Sequence, residues 1–140
     1  MAAQDLEPRL PPAFIEAGAR HLLVALRERS ALAAMRYDFE AGACLMKGWG
    51  LATVSLVHAA SPTLFQSRNP FAAGGVYEDP ATGAAAAALA GYLRDLGWPH
   101  GGHIEIVQGE DMGVPCRLLA DIPPDAGSSI RVHGAVRFLG

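Results

Sequence analysis

The chain has 140 residues, of which 51% are hydrophobic, and a formal net charge of −3. This composition is typical of one globular domain with a substantial core and excludes a disordered chain. The 11 basic residues form no stripe for nucleic acid, no apolar run reaches the ~18 residues of a membrane span, and the first residues lack the regions of a signal peptide. We therefore expect a cytoplasmic protein without nucleic-acid or membrane partners.

The first third of the chain predicts an arm followed by short elements. Residues 1–12 are polar and rich in proline, and we interpret them as a terminal arm without a fold of its own, with residues 13–140 as a single domain. The apolar run over 19–26 favours a buried strand, although periodicity alone leaves a helical turn open. Two short helices are predicted over 30–36 and 38–48, because a serine and an aspartate that can cap a helix precede them.

The rest of the chain is predicted to be mainly strand around one helix. Residues 51–59 are apolar and β-branched, and a strand over 65–68 is expected to lead Asn69, Pro70 and Phe71 into a glycine-containing loop. Three further strands are predicted over residues 103–108, 115–120 and 130–139. The last of these has the clearest alternation of apolar and polar residues in the chain.

The stretch that follows the loop predicts an unusual helix over 80–96. Asp79 followed by Pro80 is a typical helix start, and Thr82 is a second candidate cap, in which case the helix begins one turn later. Almost all residues before Arg94 are alanine or another apolar residue. A helix that is apolar on all sides is normally buried on all sides, so we expect a central helix enclosed by sheet.

The start of this helix is also a candidate anion site. Backbone amides near Gly83 and Ala84 have no partners inside the helix and lie at its positive end. Gly74 and Gly75 upstream permit a close approach to a ligand. The simpler interpretation is an alanine-rich core helix in which Asp79 is only the cap, and both roles can hold together.

Three segments together resemble the PhzF-like isomerase and epimerase family. Residues 78–85 read Glu-Asp-Pro-Ala-Thr-Gly-Ala-Ala, close to the family's Glu-Asp-Pro-Ala-Thr-Gly-Ser-Ala, and residues 68–72 and 108–113 follow the family's order. The resemblance implies an α+β fold of the diaminopimelate epimerase type, with a curved, mostly antiparallel, barrel-like sheet around a central helix. It covers only the second half of such a protein.

The resemblance also implies roles for residues at the helix start. Asp79 matches the family's active-site aspartate and is the expected catalytic residue. The amides of Gly83 and Ala84 match those that hold a substrate carboxylate, and we expect Glu78 and Thr82 to line the same substrate site. Ala84 replaces the usual serine, which removes one hydroxyl donor. A small carboxylate-bearing molecule is the expected ligand, with no cofactor.

Histidines and cysteines give little support for other chemistry. His100 and His103 lie in a glycine-containing loop without a carboxylate or cysteine at metal-binding spacing, so we expect no metal. Cys44 and Cys116 fall outside the helix start, and the two-cysteine mechanism of related epimerases finds no support.

The resemblance lacks the family's first half, which carries the catalytic glutamate. We therefore expect an isomerase or epimerase half-domain that needs a separate N-terminal-half chain or a dimer mate for catalysis. The alternative is a non-catalytic anion-binding or interaction domain derived from the family. A homodimer is expected to cover an apolar face that includes Asn69, Pro70 and Phe71, with two copies of residues 79–84 lining one cleft.

Overall fold

The structure, a computed structural model, describes residues 3–125 and 127–136. Its strands are β1 (Ala13–Glu16), β2 (Arg20–Ala25), β3 (Thr53–Ala59), β4 (Leu64–Phe71), β5 (Val76–Asp79), β6 (His103–Gln108), β7 (Cys116–Asp121) and β8 (Arg131–Val136). Its helices are α1 (Arg29–Ala33), α2 (Phe39–Trp49) and α3 (Gly83–Leu96). In these residues, no helix is long and apolar enough to cross a membrane.

The strands form one curled sheet in the order β1-β2-β3-β4-β6-β7-β8, and β5 pairs with β4 away from this path. The pairs β2–β3 and β4–β6 are parallel, and the other pairs are antiparallel. The predicted α+β class with a curved, mostly antiparallel sheet is therefore confirmed.

Helix α3 lies inside the curl of this sheet. It packs against β1, β2, β6, β7 and β8, and its residues Ala85, Ala86, Ala88, Leu89, Ala90 and Leu93 are buried. Alanine side chains allow the strands to approach the helix closely from several directions, as native packing density requires. The predicted central helix is confirmed.

The predicted start of this helix is wrong. Asp79 is the last residue of β5, where it pairs with Asn69, so its backbone is extended and Pro80 is not the first helical residue. The helix begins at Gly83, and Thr82 occupies the N-cap position, the second candidate from the sequence. The Thr82 side chain makes no capping hydrogen bond, because its hydroxyl is engaged elsewhere.

The two short helices follow the sequence partly. Asp38 caps α2, with its Oδ1 accepting from the Ala41 amide at 2.8 Å, as predicted. The helix continues through Gly48 to Trp49 and ends where Gly50 adopts a left-handed φ of 65°, so the predicted end at residue 48 is one residue early. Ser30 lies inside α1 and does not cap it.

Two strands were not predicted, and one is longer than expected. Strands β1 and β5 each have only four residues, too few for a clear alternation. Strand β4 continues through Asn69, Pro70 and Phe71, because the last three residues pair with β5. Asn69 is 1% exposed and Pro70 is buried, so the expected exposed apolar face cannot include them.

Part of the predicted terminal arm packs on the domain. The Glu7 amide donates to the Ala25 carbonyl at 2.9 Å, and Leu10 is fully buried in the main hydrophobic cluster. The last residues of the predicted 130–139 strand, from 137 onward, lie outside the described residues.

Candidate functional site

The loop between β5 and α3 folds around the carboxylate of Asp79. Its Oδ2 accepts a hydrogen bond from the Thr82 hydroxyl at 2.7 Å, and its Oδ1 accepts from the Ala81 amide at 3.3 Å. Asp79 is half-buried. The carboxylate is thus held at the mouth of the helix by its own loop.

Gln108, the last residue of β6, anchors this loop from below. The side chain is 1% exposed, its Oε1 accepts from the Thr82 amide at 3.0 Å, and its Nε2 donates to the Asp79 carbonyl at 2.8 Å. The same Nε2 donates to the Thr82 hydroxyl oxygen at 2.9 Å. Because that oxygen accepts from Gln108, the single hydroxyl hydrogen is directed to Asp79.

The first backbone amides of α3 have no hydrogen-bond acceptor in the described part of the protein. Within residues 3–125 and 127–136, the amides of Gly83, Ala84 and Ala85 donate to no protein group, and Ala86 is the first to do so, to the Thr82 carbonyl at 3.1 Å. Gly83 is exposed and Ala84 is half-buried. These donors, at the positive end of the helix, can bind an anion from the solvent side.

Glu78 lies on the other side of β5 and is committed to an ion pair. Its Oε1 and Oε2 accept from Nη2 and Nε of Arg68 at 2.7 Å and 3.0 Å, and the side chain is 4% exposed. The hydrogen bonds to Glu78 raise the pKa of Arg68 above its ordinary value. Neighbouring residues of a strand point to opposite faces, so Glu78 faces Arg68 while Asp79 faces the loop before α3.

A buried polar cluster continues beneath the site. The Thr53 hydroxyl accepts from the Asn69 side-chain amide at 3.1 Å and lies 2.8 Å from Nδ1 of His21. Burial lowers the pKa of His21, which favours the neutral form of its ring. The cluster borders a small cavity under α3 that is lined by Ser67, Asn69 and Gln108 among others.

The sequence brought most of these residues to attention, but not their connections. The structure brings Asp79, Thr82, Gly83 and Ala84 together and places Glu78 against Arg68. Gln108 was noted only as part of a family motif. Its position at the end of a strand directly before Gly109 was the one available signal.

No group of histidine, cysteine, aspartate and glutamate suited to a metal occurs in the part of the chain that the structure describes. His100 uses its Nδ1 to accept from the Gly102 amide at 2.8 Å within its own turn. Cys44 and Cys116 are both free thiols.

Solved structures similar to the chain include proteins described as an epimerase or as PhzF-family proteins. A protein described as a predicted epimerase from Pseudomonas aeruginosa matches with a TM-score of 0.73 and 28% identity, covering 97% of this chain and 45% of its own. A PhzF-family phenazine biosynthesis protein from Bacillus anthracis shares the fold, with a TM-score of 0.70 at 17% identity, covering 92% of this chain and 46% of its own.

The sequence comparisons identify the family. The profile of the family described as phenazine biosynthesis-like protein (PhzC-PhzF) matches residues 1–138, and the chain belongs to this family. A curated relative, trans-2,3-dihydro-3-hydroxyanthranilate isomerase from Pseudomonas aeruginosa, is 39% identical over 104 residues. That match covers 74% of this chain but only 36% of the relative. The chain therefore spans half or less of the length of these relatives.

Proposed function

We propose that this chain is the part of a PhzF-like isomerase or epimerase that holds the carboxylate of the substrate at the start of α3. The observation that carries the proposal is that the backbone amides of Gly83 and Ala84 have no acceptor and lie next to the Asp79 carboxylate, which Thr82 holds in place. The membership of the chain in the family supports the reaction class. The named substrate of the curated relative is an anthranilate derivative, which bears a carboxylate.

Each residue at the loop has a distinct part in this proposal. The Gly83 and Ala84 amides bind the substrate carboxylate, and the Thr82 hydroxyl orients Asp79 beside it. Asp79 orients the substrate or exchanges a proton with it. Glu78 supports β5 through Arg68 rather than touching the ligand, since both of its carboxylate oxygens are already engaged.

Proton transfer next to a carboxylate needs a positioned base as well as charge stabilisation. We propose that a second half of the family's fold, or a dimer mate, contributes this base across the opening of the site. Mixing the chain with an N-terminal half from a PhzF-family relative, and assaying isomerisation of trans-2,3-dihydro-3-hydroxyanthranilate, the substrate named for the curated relative, tests this step. If the chain binds an anion but isomerises nothing, either alone or mixed with the N-terminal half, the alternative of a non-catalytic anion-binding domain is favoured.

Carboxylate binding is tested directly with malonate and an Ala84→Ser variant. In the wild type, malonate at millimolar concentrations is expected to shift the Gly83 and Ala84 amide resonances. The serine hydroxyl adds one hydrogen bond to a charged group, worth about 1.5–3 kcal/mol, so Ala84→Ser is expected to bind roughly tenfold more tightly or better. Ala84→Val adds bulk without a donor and is the control. Unmoved amides in both the wild type and the serine variant would refute the carboxylate site.

A homodimer is proposed through apolar residues around this loop. Val76 is 50% exposed and Val114 is 43% exposed. Val114 lies next to the loop, because a Cβ on Gly109 would be 2.3 Å from the Val114 carbonyl oxygen and 3.0 Å from that of Pro80. In a two-fold dimer the same apolar patch of each subunit faces its copy, so these two side chains would be buried together.

Sedimentation of the wild type beside Val76→Asp and Leu96→Asp tests the dimer. Leu96 is 42% exposed at the opposite end of α3 and serves as the matched control. We expect the wild type and Leu96→Asp to be dimeric and Val76→Asp to be monomeric, because a buried unpaired carboxylate is strongly unfavourable at an interface. A wild type that sediments as a monomer at micromolar concentrations would contradict the proposal.

A further inference from the structure

A groove of about 640 Å³ lies along the side of α3 that the sheet leaves uncovered. Its walls come from β1 on one side and from residues 127–130 on the other, and its floor includes Ala87 and Gly91 of the helix. This volume is within the range of small-molecule sites. Arg94, which also lines the groove, is ten residues beyond Ala84, about 15 Å along the helix, so the groove is separate from the loop at the helix start.

Arg94 is held in place by one of its two terminal nitrogens. Nη1 donates to the Ser128 hydroxyl at 2.9 Å, to the Ser128 carbonyl at 3.2 Å and to the Pro123 carbonyl at 3.2 Å. The side chain is only 9% exposed. The guanidinium therefore has a fixed orientation with little contact to water.

The other edge of this guanidinium is unused. Among the described residues, Nε is buried without a hydrogen-bond partner, and Nη2 makes no hydrogen bond. The nearest carboxylate oxygen is Oδ1 of Asp95, 3.9 Å from Nε, on a side chain that is 64% exposed. In the same protein, the equivalent edge of Arg68 binds Glu78 at 2.7 Å and 3.0 Å.

A buried cation without a close counter-ion is costly unless other groups compensate for it. The position of Arg94 in the last turn of α3 provides part of this compensation through the helix dipole, and the three oxygens on Nη1 provide more. Neither provides a hydrogen-bond partner for Nε and Nη2, and this edge of a guanidinium has the geometry that binds a carboxylate with two hydrogen bonds.

The remaining groups of the groove define what else the ligand carries. Tyr92, Ile15 and Ile130 supply apolar walls, while Ala87 and Gly91 leave a flat floor between them. Glu16 also lines the groove, but its carboxylate pairs with Arg20 at 3.4 Å and is largely exposed. A flat apolar ring with one carboxylate fits this arrangement.

We propose that the groove is a second binding site, for a small aromatic carboxylic acid whose carboxylate pairs with Nε and Nη2 of Arg94. Asp95 occupies the approach to Nε in the free protein and turns outward when the acid binds. Asp95 is thus a competitor of the ligand, and its removal favours binding. This inference does not depend on the carboxylate site at Gly83 and Ala84.

Benzoate is the probe, and benzamide is its neutral counterpart of the same shape. Benzoate is expected to shift the amide resonances of Gly91 and Ser128 in the wild type. Benzamide is expected to bind with at least tenfold lower affinity, since it lacks the charge that pairs with Arg94. Asp95→Asn is expected to tighten benzoate binding severalfold. Arg94→Gln is expected to weaken it about tenfold or more.

Gly91→Leu tests the groove without touching Arg94. A Cβ at Gly91 would meet no heavy atom within 4 Å, so the variant is expected to fold, and leucine also favours a helix over glycine. Its side chain fills the floor and should abolish the benzoate response, while Gly91→Ala should largely keep it. Equal responses to benzoate and benzamide, weaker binding in Asp95→Asn, or an unchanged response in Gly91→Leu would each overturn the proposal.

Discussion

Replacement of Glu78 by alanine is expected to lower the free energy of unfolding by about 3–5 kcal/mol, the range for breaking a buried ion pair from one side. The substitution leaves Arg68, whose side chain is 10% exposed, without its two hydrogen bonds to a carboxylate, and the remaining carboxylate oxygen, Oδ2 of Asp111, lies 4.0 Å from Nε. Two of its donors remain bound, because Nη1 also donates to the carbonyls of Leu32 and Ala33. The guanidinium therefore cannot easily turn to solvent. Urea denaturation measures the effect.

Two further variants show whether the loss comes from the unpaired charge. Glu105→Ala removes the partner of a surface pair with Arg117, at 3.2 Å, and should cost less than about 1 kcal/mol. The double variant Glu78→Ala/Arg68→Met should recover much of the lost stability, since it removes the buried cation together with its hydrogen-bonded partner. If Glu78→Ala costs no more than Glu105→Ala, the ion pair is not the support of β5 that its geometry indicates.

Gln108→Leu is expected to destabilise the protein by about 3 kcal/mol or more and to abolish the malonate response. The substitution leaves the Thr82 amide and the Asp79 carbonyl without their partner, and each unsatisfied buried group costs about 1–3 kcal/mol. The loop that presents the helix amides then loses its anchor. Denaturation and amide titration measure the two effects separately.

Gln108→Glu separates the anchoring role from the orienting role. In its ionised form, glutamate at this position still accepts from the Thr82 amide but cannot donate, so the Thr82 hydroxyl turns from Asp79 toward residue 108. We expect the Thr82 amide resonance to stay near its wild-type position while malonate binding weakens. Gln66→Leu, on the neighbouring strand β4, is the control, because that half-buried side chain has no hydrogen bond to a described residue. Wild-type malonate binding in Gln108→Glu would exclude an orienting role.

Features that depend on neighbouring residues were predictable from the sequence. Asp38 caps α2 because its side chain reaches an amide three residues later, a contact that needs no information from the rest of the fold. The burial of α3 followed in the same way from its alanine content. The strands β2 and β3 have apolar runs, and β6 places Ile104 and Ile106 on one face, so all three are predicted from the sequence.

Features that depend on distant pairing were not predictable. Asp79 and Pro80 have the local character of a helix start, yet pairing of β5 with β4 keeps Asp79 extended. Tertiary contacts override local preference in such cases. Pro70 was expected in a loop, but it lies in β4 beside a register irregularity, a position that tolerates proline.

The candidate site also contains residues that are close in sequence, which were predictable, and one that is distant, which was not. Asp79, Thr82, Gly83 and Ala84 lie within six residues, so a motif could identify them together. Gln108 is 26 residues from Thr82 and reaches it only because β6 pairs in parallel with β4. No local pattern indicates that pairing, so the contact of Gln108 with Thr82 is not predictable from the sequence.

The alanine surface of α3 also restricts how this protein can diverge. On the faces enclosed by the strands, Ala90 is fully buried, and a larger side chain there would have to displace its neighbours. Ala87 and Gly91, on the uncovered side, have no such restriction from the sheet. Substitutions are therefore tolerated more easily on the groove side of the helix than on its enclosed faces, so related chains are expected to differ in what the groove accepts while keeping the same helix packing.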